Sequence, residues 1–254
     1  ISQNYKNIEI IISNNDSTDE TELICEKYIK LDKRIRYFKQ NTMLSAFDNF
    51  QFVLKQASGQ FFMWAAHDDI RENNYISTQI KYFKDEDIIL TFPNLYIDDT
   101  ISVPYLKEFD FENEQLTVIE RMYKTADIQC YHIYGLWRTE ALKKINFLHT
   151  YWWPDMPIMV CASYLGKFKY VDGTKFVYRE EIKSVKKRVS YQDGKTIVPK
   201  FMVLKMIYTT FITLMHTSNS ILYASLGALF VFWKQFKVFL YIFLVKKPKK
   251  LFFK

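Results

Sequence analysis

The sequence is poor in the residues that most often announce a site. Three cysteines in 254 residues, Cys25, Cys130 and Cys161, with no Cys-x-x-Cys, are too few and too scattered for a disulfide framework. Four histidines at no ligand-like spacing exclude a Cys/His structural zinc site. Six glycines and six prolines exclude collagen-like and low-complexity chains. The glycines fall at 59, 135, 166, 173, 194 and 227, so neither a dinucleotide fingerprint nor a phosphate loop exists, and there is no Gly-x-Ser-x-Gly elbow. The chain opens Ile1-Ser2-Gln3-Asn4-Tyr5, without a methionine and without a charged region leading into an apolar run. It reads as a fragment that carries no signal peptide and works in a reducing compartment.

Acid is missing from one end. No Asp or Glu follows Asp193, whereas ten lysines do. The whole chain has a net charge of +7, so residues 1–193 carry −3 and the basic character belongs to the tail. A nucleic-acid binder spreads Lys and Arg over its folded body. Lysines interleaved with Phe, Tyr, Trp and Leu suit an anionic membrane surface instead.

What is present is an alternation. Ile8–Ile12 is a short, nearly continuous apolar run, the mark of a buried parallel strand. The loop Ser13–Asp19 follows, with Ser17 and Glu20 spaced as a capping box, then a helix with Leu23, Ile24, Tyr28 and Leu31 on one stripe. Ile35–Phe38 reads as a strand, Ser45–Ala57 as a helix closed near Gly59, and Gln60–Ala66 as a strand ending at His67-Asp68-Asp69. A helix over about Asn74–Lys84 and a strand over Ile88–Phe92 complete an α/β pattern. In such sheets ligands bind beyond the carboxyl ends of strands, where both the Asn14–Asp19 and His67–Asp69 loops fall. Further on, Ile97–Asn113 reads as a loop and Leu116–Lys124 as a helix. Ile133–Arg138 is a strand or loop feeding the helix Thr139–Ile145, and Met156–Leu165 a helix. Lys167–Val171 and Lys175–Arg179 are short strands before the basic loop Lys183–Arg188.

An adjacent acid pair such as Asp68-Asp69 is most often a solvated turn or a cap. At the end of an apolar strand it is also what magnesium or manganese on a nucleoside diphosphate requires, since the ion takes one or two carboxylates and fills its shell with phosphate and water. An ion so held neutralises a departing diphosphate.

These residues resemble family 2 glycosyltransferases. The resemblance is carried by Asn4–Ile12 with Asp16-Ser17-Thr18-Asp19-Glu20-Thr21, by Arg34–Tyr37, Asn49 and Ala57–Phe61, and by Trp64 before His67-Asp68-Asp69. It runs from Ile1 to Arg188, and the family's first strand would precede Ile1. It implies a GT-A fold, an α/β architecture with a Rossmann-like mixed, mostly parallel sheet flanked by helices, filling residues 1–195. It also implies a nucleotide-sugar donor, UDP-sugar foremost, an Mn2+ or Mg2+ ion, and transfer with inversion to a glycan or lipid-linked acceptor in cell-envelope polysaccharide synthesis. By the same resemblance Asp69 holds the metal and Asp68 faces the donor. Asn14, Asn15 and Asp16 lie where the family contacts the base, although an asparagine there offers a hydrogen bond without charge. Arg179 and the basic loop after it lie where the diphosphate would be covered, Asp155 is the catalytic base, and Tyr134, Gly135, Trp137 and Trp153 form the acceptor side. The plain alternatives are a helix N-cap for Asp155 and core packing for Trp137 and Trp153. Two other functions fit the same residues: a nucleotidyltransferase, which has no need of Asp155, and an inactive homologue serving as a membrane subunit.

In the segment 196–254, the 28 residues between Lys205 and Lys234 hold no Asp, Glu, Lys or Arg, but His216–Ser220 divides them into halves too short to span a bilayer. Helices lying in the interface on the cytoplasmic face of the membrane are the expectation, with a kinked span or helices packed on the body as competing arrangements.

Overall fold

Across the residues described by the computed structural model (1–99, 101–102, 110–111, 115–126, 130–145, 155–179 and 202–244) strands and helices follow the predicted alternation as far as residue 56. The strand expected over 60–66 is reduced to Phe61–Phe62, and Asp68-Asp69 lead into a short strand at Ile70–Arg71 instead of ending one. The order is β1 (Ile10–Asn14), α1 (Thr21–Leu31), β2 (Ile35–Lys39), α2 (Ala46–Gln56), β3 (Phe61–Phe62), β4 (Ile70–Arg71) and α3 (Tyr75–Ile80) with a 3-10 turn to Lys84. Then come β5 (Ile88–Ile97), β6 (Ile101–Ser102), α4 (Val118–Thr125), a 3-10 turn (Cys130–Tyr134), β7 (Leu136–Arg138) and α5 (Thr139–Lys144). α6 (Asp155–Leu165), β8 (Lys167–Tyr178), α7 (Met202–Ser218) and α8 (Ile221–Leu244) close the described chain.

The sheet is mixed rather than mostly parallel. β1 and β2 form a parallel pair of their own, and the larger sheet runs β3-β7-β5-β8-β4 with β6 beside β5. Its one long ladder, β5 on β8, is parallel, while the four short ones are antiparallel. β5 sits at the centre because Ile88, Ile89, Leu90 and Phe92 are apolar on both faces, and both faces are covered. The two strands expected around residues 167–179 are one strand with an irregularity. Val171 pairs with Pro93 and Lys175 with Asn94, so residues 172–174 bulge where Pro93 has no N–H to give. Gly173, at φ +89°, supplies the left-handed turn this demands.

Local chemistry explains the helix ends. The Ser45 hydroxyl accepts the Asp48 N–H at the start of α2, and Thr117 and Glu120 cap α4 reciprocally. The Ser17–Glu20 capping box does not form. α1 begins at Thr21 because the Asp19 carboxylate takes both the N–H and the hydroxyl of Thr21, bonds that hold this carboxyl below its ordinary range. The stripe Leu23, Ile24, Tyr28 and Leu31 faces outward, and Cys25 turns in. Gly59 is not a helix cap either. The Glu9 carboxylate accepts from the Ser58 N–H, the Ser58 hydroxyl and the Gly59 N–H at 2.7–2.9 Å and so fastens the end of α2 to the start of β1.

α6 is apolar on every side, and from Met156 to Ser163 it is buried between the sheet and the helices α4 and α7. α7 and α8 form a hairpin broken at Asn219, whose φ is +50°. Their inner faces, with Met206, Thr210 and Leu214 on α7 and Ala224, Ala228 and Val231 on α8, are in the protein core. Of the expected arrangements for this segment, packing on the body is therefore realised on one side. Among the described residues no helix is long and apolar enough to cross a membrane.

Candidate active site

The site lies where β4 meets the end of β8. Ile70 pairs with Val177 and Arg71 with Phe176, so the antiparallel register brings Asp69 opposite Tyr178 and Asp68 opposite Arg179. The bonds follow that register. The Arg179 N–H donates to Asp69 Oδ1 at 3.2 Å, and the Arg179 guanidinium Nε–H donates to the Asp68 carbonyl. The acid pair is thus clamped to the strand end through its own backbone and one carboxylate oxygen.

Asp69 Oδ2 is buried and has no hydrogen-bond partner among the described residues. Burial, followed by the charge of Asp68, pushes this carboxyl above its ordinary value against the lowering effect of the Arg179 N–H, Arg71 and Arg179. An unspent, partly desolvated carboxylate oxygen is the donor a hard divalent cation takes, so the residues present fit such an ion. Among the described residues no group of three Asp, Glu, His or Cys side chains could hold a metal. The ion would rest on Asp69 with the remaining shell supplied by a bound diphosphate and water.

Tyr134 joins this acid pair to the second predicted acid. It ends the 3-10 turn before β7, its ring packs at 5.6 Å from that of Phe176, and its carbonyl accepts the Tyr75 hydroxyl at 2.9 Å. Burial raises its phenol, and the charges of Asp155, Asp69 and Asp68 raise it further, so all three carboxylates lie within electrostatic reach of this one side chain. Asp155 opens α6, and burial pushes its carboxyl up to about 6 despite the favourable field of a helix N-terminus. A carboxylate poised there accepts a proton near neutral pH.

Other predicted residues serve the scaffold. Asn14 is buried, with its amide N–H donated to the Tyr37 hydroxyl at 2.9 Å and its carbonyl accepting the Ser17 N–H. Asn15 spends both ends of its amide on Leu44, giving an N–H to the carbonyl and accepting the amide N–H. Each amide thus has one N–H and one carbonyl lone pair engaged in the scaffold, and of the three loop residues only Asp16 is exposed, at φ +60°. Trp137 is a correction to the acceptor side: it has no exposed surface, and its indole N–H is given to the Ile133 carbonyl at 2.8 Å, so it offers no face to a sugar. Gly135 is there for space, because a Cβ would lie 2.3 Å from the Thr91 carbonyl oxygen. Trp153 and the Lys183–Arg188 loop lie outside the described residues.

Two residues that sequence reasoning passed over support the cleft. The Arg71 guanidinium donates to the Trp64 carbonyl at 2.8 Å and stacks 4.6 Å above Phe176 and 5.5 Å from Tyr75. Tyr75, wholly buried, carries the support on to Tyr134. The signal for Arg71 was its spacing, since residues 69 and 71 of an extended segment share a face.

The profile of a family described as "Glycosyl transferase family 2" matches residues 1–145. The chain is 29% identical over 189 residues to glycosyltransferase GlyA of Streptococcus pneumoniae serotype 4, covering 70% of this chain and 26% of that protein. It is 39% identical over 98 residues to the Escherichia coli UDP-Glc:alpha-D-GlcNAc-diphosphoundecaprenol beta-1,3-glucosyltransferase WfaP, covering 39% of this chain and 38% of that one. The chain thus spans between a quarter and two fifths of these relatives. Among solved structures, S. aureus TarS 1-349 in complex with UDP-GlcNAc superposes with a TM-score of 0.63 at 14% identity, over 97% of this chain and 70% of that one. The shared architecture is a GT-A-like α/β fold, a mixed sheet flanked by helices.

Proposed function

The chain belongs to glycosyl transferase family 2, and from that premise we propose that it moves a sugar from a UDP-sugar to a hydroxyl of a glycan or lipid-linked acceptor, with inversion at the anomeric carbon. The observation that carries the proposal is the buried Oδ2 of Asp69, unpartnered among the described residues, whose companion oxygen is held by the Arg179 N–H. The joint action of the Asp155, Asp69 and Asp68 charges on the Tyr134 phenol supports it. The donors named for WfaP and for the TarS complex support a uridine nucleotide.

An acceptor hydroxyl is a weak nucleophile at neutral pH. Asp155 removes its proton as the oxygen attacks the anomeric carbon from the side opposite the diphosphate. The new C–O bond forms while the bond to the diphosphate breaks, and the diphosphate leaves with the electron pair. One displacement inverts the centre and asks for one base and no covalent nucleophile. Asp69 is the residue to hold an Mn2+ or Mg2+ ion, which when bound supplies charge neutralisation at the diphosphate. Tyr134 is fixed through its carbonyl by Tyr75, and under the charges of base and acid pair its phenol stays protonated and able to donate a hydrogen bond. Arg179 keeps the backbone of the acid pair in place.

Release of UDP from UDP-GlcNAc and UDP-glucose, with and without Mn2+, tests the proposal. Metal-dependent release by the wild-type chain that Asp69→Asn abolishes is expected. Transfer by Asp155→Asn at wild-type rate removes Asp155 from its role, and absence of both nucleotide binding and hydrolysis overturns the enzymatic reading.

A further inference from the structure

We propose that the outer face of α8, extended by Tyr123 of α4, is a docking surface that seats the folded domain on an anionic lipid bilayer. Ten of the seventeen large apolar side chains exposed among the described residues lie on α4, α7 and α8. On α8 the residues Leu222, Leu229, Phe232, Trp233 and Phe236 are exposed at helical spacing, while Ala224, Ala228 and Val231 on the other side are buried. The stripe is aromatic at its centre, with Phe232 stacked 5.7 Å from Phe236 and Trp233 edge-on to Phe236 at 6.1 Å. A patch of that kind, unlike scattered single residues, marks an interaction surface.

Packing decides how the surface is used. Gly227 sits at the crossing of α7 and α8, where a Cβ would come 2.2 Å from Leu214 and 3.2 Å from Met122. Tyr123 of α4 meets Phe230 at 5.3 Å and the Lys234 ammonium at 4.5 Å. The hairpin is therefore part of the domain wall, so the body and its cleft are held at a fixed height above whatever α8 touches.

Charge decides what α8 touches. Lys237 is exposed beside the stripe, and every charged residue after Asp193 is a lysine. Apolar rings flanked by ammonium groups match a bilayer at two depths, rings among the acyl chains and lysines at anionic headgroups. A two-fold contact with a second copy of this chain would set the lysine-bearing face against itself.

The test is co-sedimentation of the full chain with vesicles, one set mixing phosphatidylglycerol with phosphatidylcholine and the other of phosphatidylcholine alone. Binding to the anionic vesicles only, weakened by salt, is expected. Partition should fall more than about tenfold in Phe232→Ser/Trp233→Ser/Phe236→Ser, a variant confined to exposed positions. A second measurement does not depend on that variant folding: brominated phosphatidylglycerol should quench the wild-type tryptophan emission and spare most of it in Trp233→Phe. The proposal is overturned if the wild type stays in the supernatant, or if the triple variant partitions like the wild type. Equal quenching of wild type and Trp233→Phe also overturns it. So does a dimer that the triple variant converts to monomer without vesicle binding, which would assign the face to a second copy. None of these readouts depends on sugar transfer.

Discussion

Replacing Asp155 with asparagine should cost the protein its transfer activity and make it more stable at neutral pH. Burial lifts this carboxyl from its ordinary 3.8 to about 6. At about 1.4 kcal/mol per pH unit, the folded state then carries a penalty of about 3 kcal/mol for holding the group ionised. The sign follows from proton counting. Below pH 3.8 the group is protonated in both states and contributes nothing. Between 3.8 and about 6 the folded state keeps a proton that the unfolded chain has released, so stability falls as pH rises, and above 6 the full penalty is present. The amide of Asp155→Asn bears no charge and escapes it. The difference between variant and wild type should be near zero around pH 4, grow to about pH 6 and then level off, equivalent on the order of 5–10 °C in Tm for a domain of this size. Thermal and urea melts of both proteins at half-unit steps from about pH 4 to 8 measure it, beside a wild-type pH profile of transfer that rises through about pH 6. A variant that is less stable than the wild type at slightly alkaline pH, or a difference that ignores pH, refutes the assignment of a desolvated base at the head of α6.

Three further outcomes are expected. Asp69→Asn should abolish the extra thermal stabilisation that Mn2+ adds to UDP, because only a bound state involving the free carboxylate oxygen is lost; a metal-dependent shift that survives would move the ion elsewhere. Gly135→Ala should destabilise by about 2–3 kcal/mol in urea unfolding, since its Cβ would meet backbone at Thr91 and the Leu90 side chain at 2.7 Å. Asn15→Ala should cost about 1–3 kcal/mol by stranding the Leu44 N–H and C=O. An unchanged melt with a raised KM for the donor would return Asn15 to base recognition.

The site was legible in the sequence where chemistry and position coincide. Asp68 and Asp69 precede the short strand β4 and Asp155 begins the apolar helix α6, so their backbone has a fixed place at the rim of the core. The charges of all three act on the Tyr134 phenol. Trp137 was misleading because ring area serves the fold as readily as a ligand, and Asn14 and Asn15 carry scaffold bonds that the sequence does not announce. A sequence shows that Asn15 can bond, while the partner that takes both its atoms, Leu44, lies 29 residues away and follows from no local pattern. The sheet was harder to read than the helices. Alternating strands and helices predict parallel neighbours, yet β7 enters between β3 and β5 after a long excursion and runs against both. The capping box at Ser17 does not form because the Ser17 N–H is given to the Asn14 side chain, while Asp19 caps Thr21 two residues further on.

The C-terminal segment shows why hydrophobicity alone could not separate its alternatives. A helix buried in protein and a helix shared between protein and lipid are both apolar around most of their circumference, so neither presents the one-sided pattern of an ordinary surface helix. α6 and, on the docking proposed above, α8 are such a pair. α6 carries no lysine or arginine in its eleven residues and disappears into the core. α8 buries small residues, Ala224, Gly227 and Ala228, where it crosses its neighbours, and leaves its largest ones, Phe232, Trp233 and Phe236, outside. Burial in a protein core alone would favour the opposite arrangement, because a large ring left in water forgoes about 1.5–3 kcal/mol that burying it would return. The small residues let α8 approach α7 closely, and Lys234 and Lys237 are the two charges within its largely apolar length. Small-inside, large-outside is an order that water does not reward and a bilayer surface does.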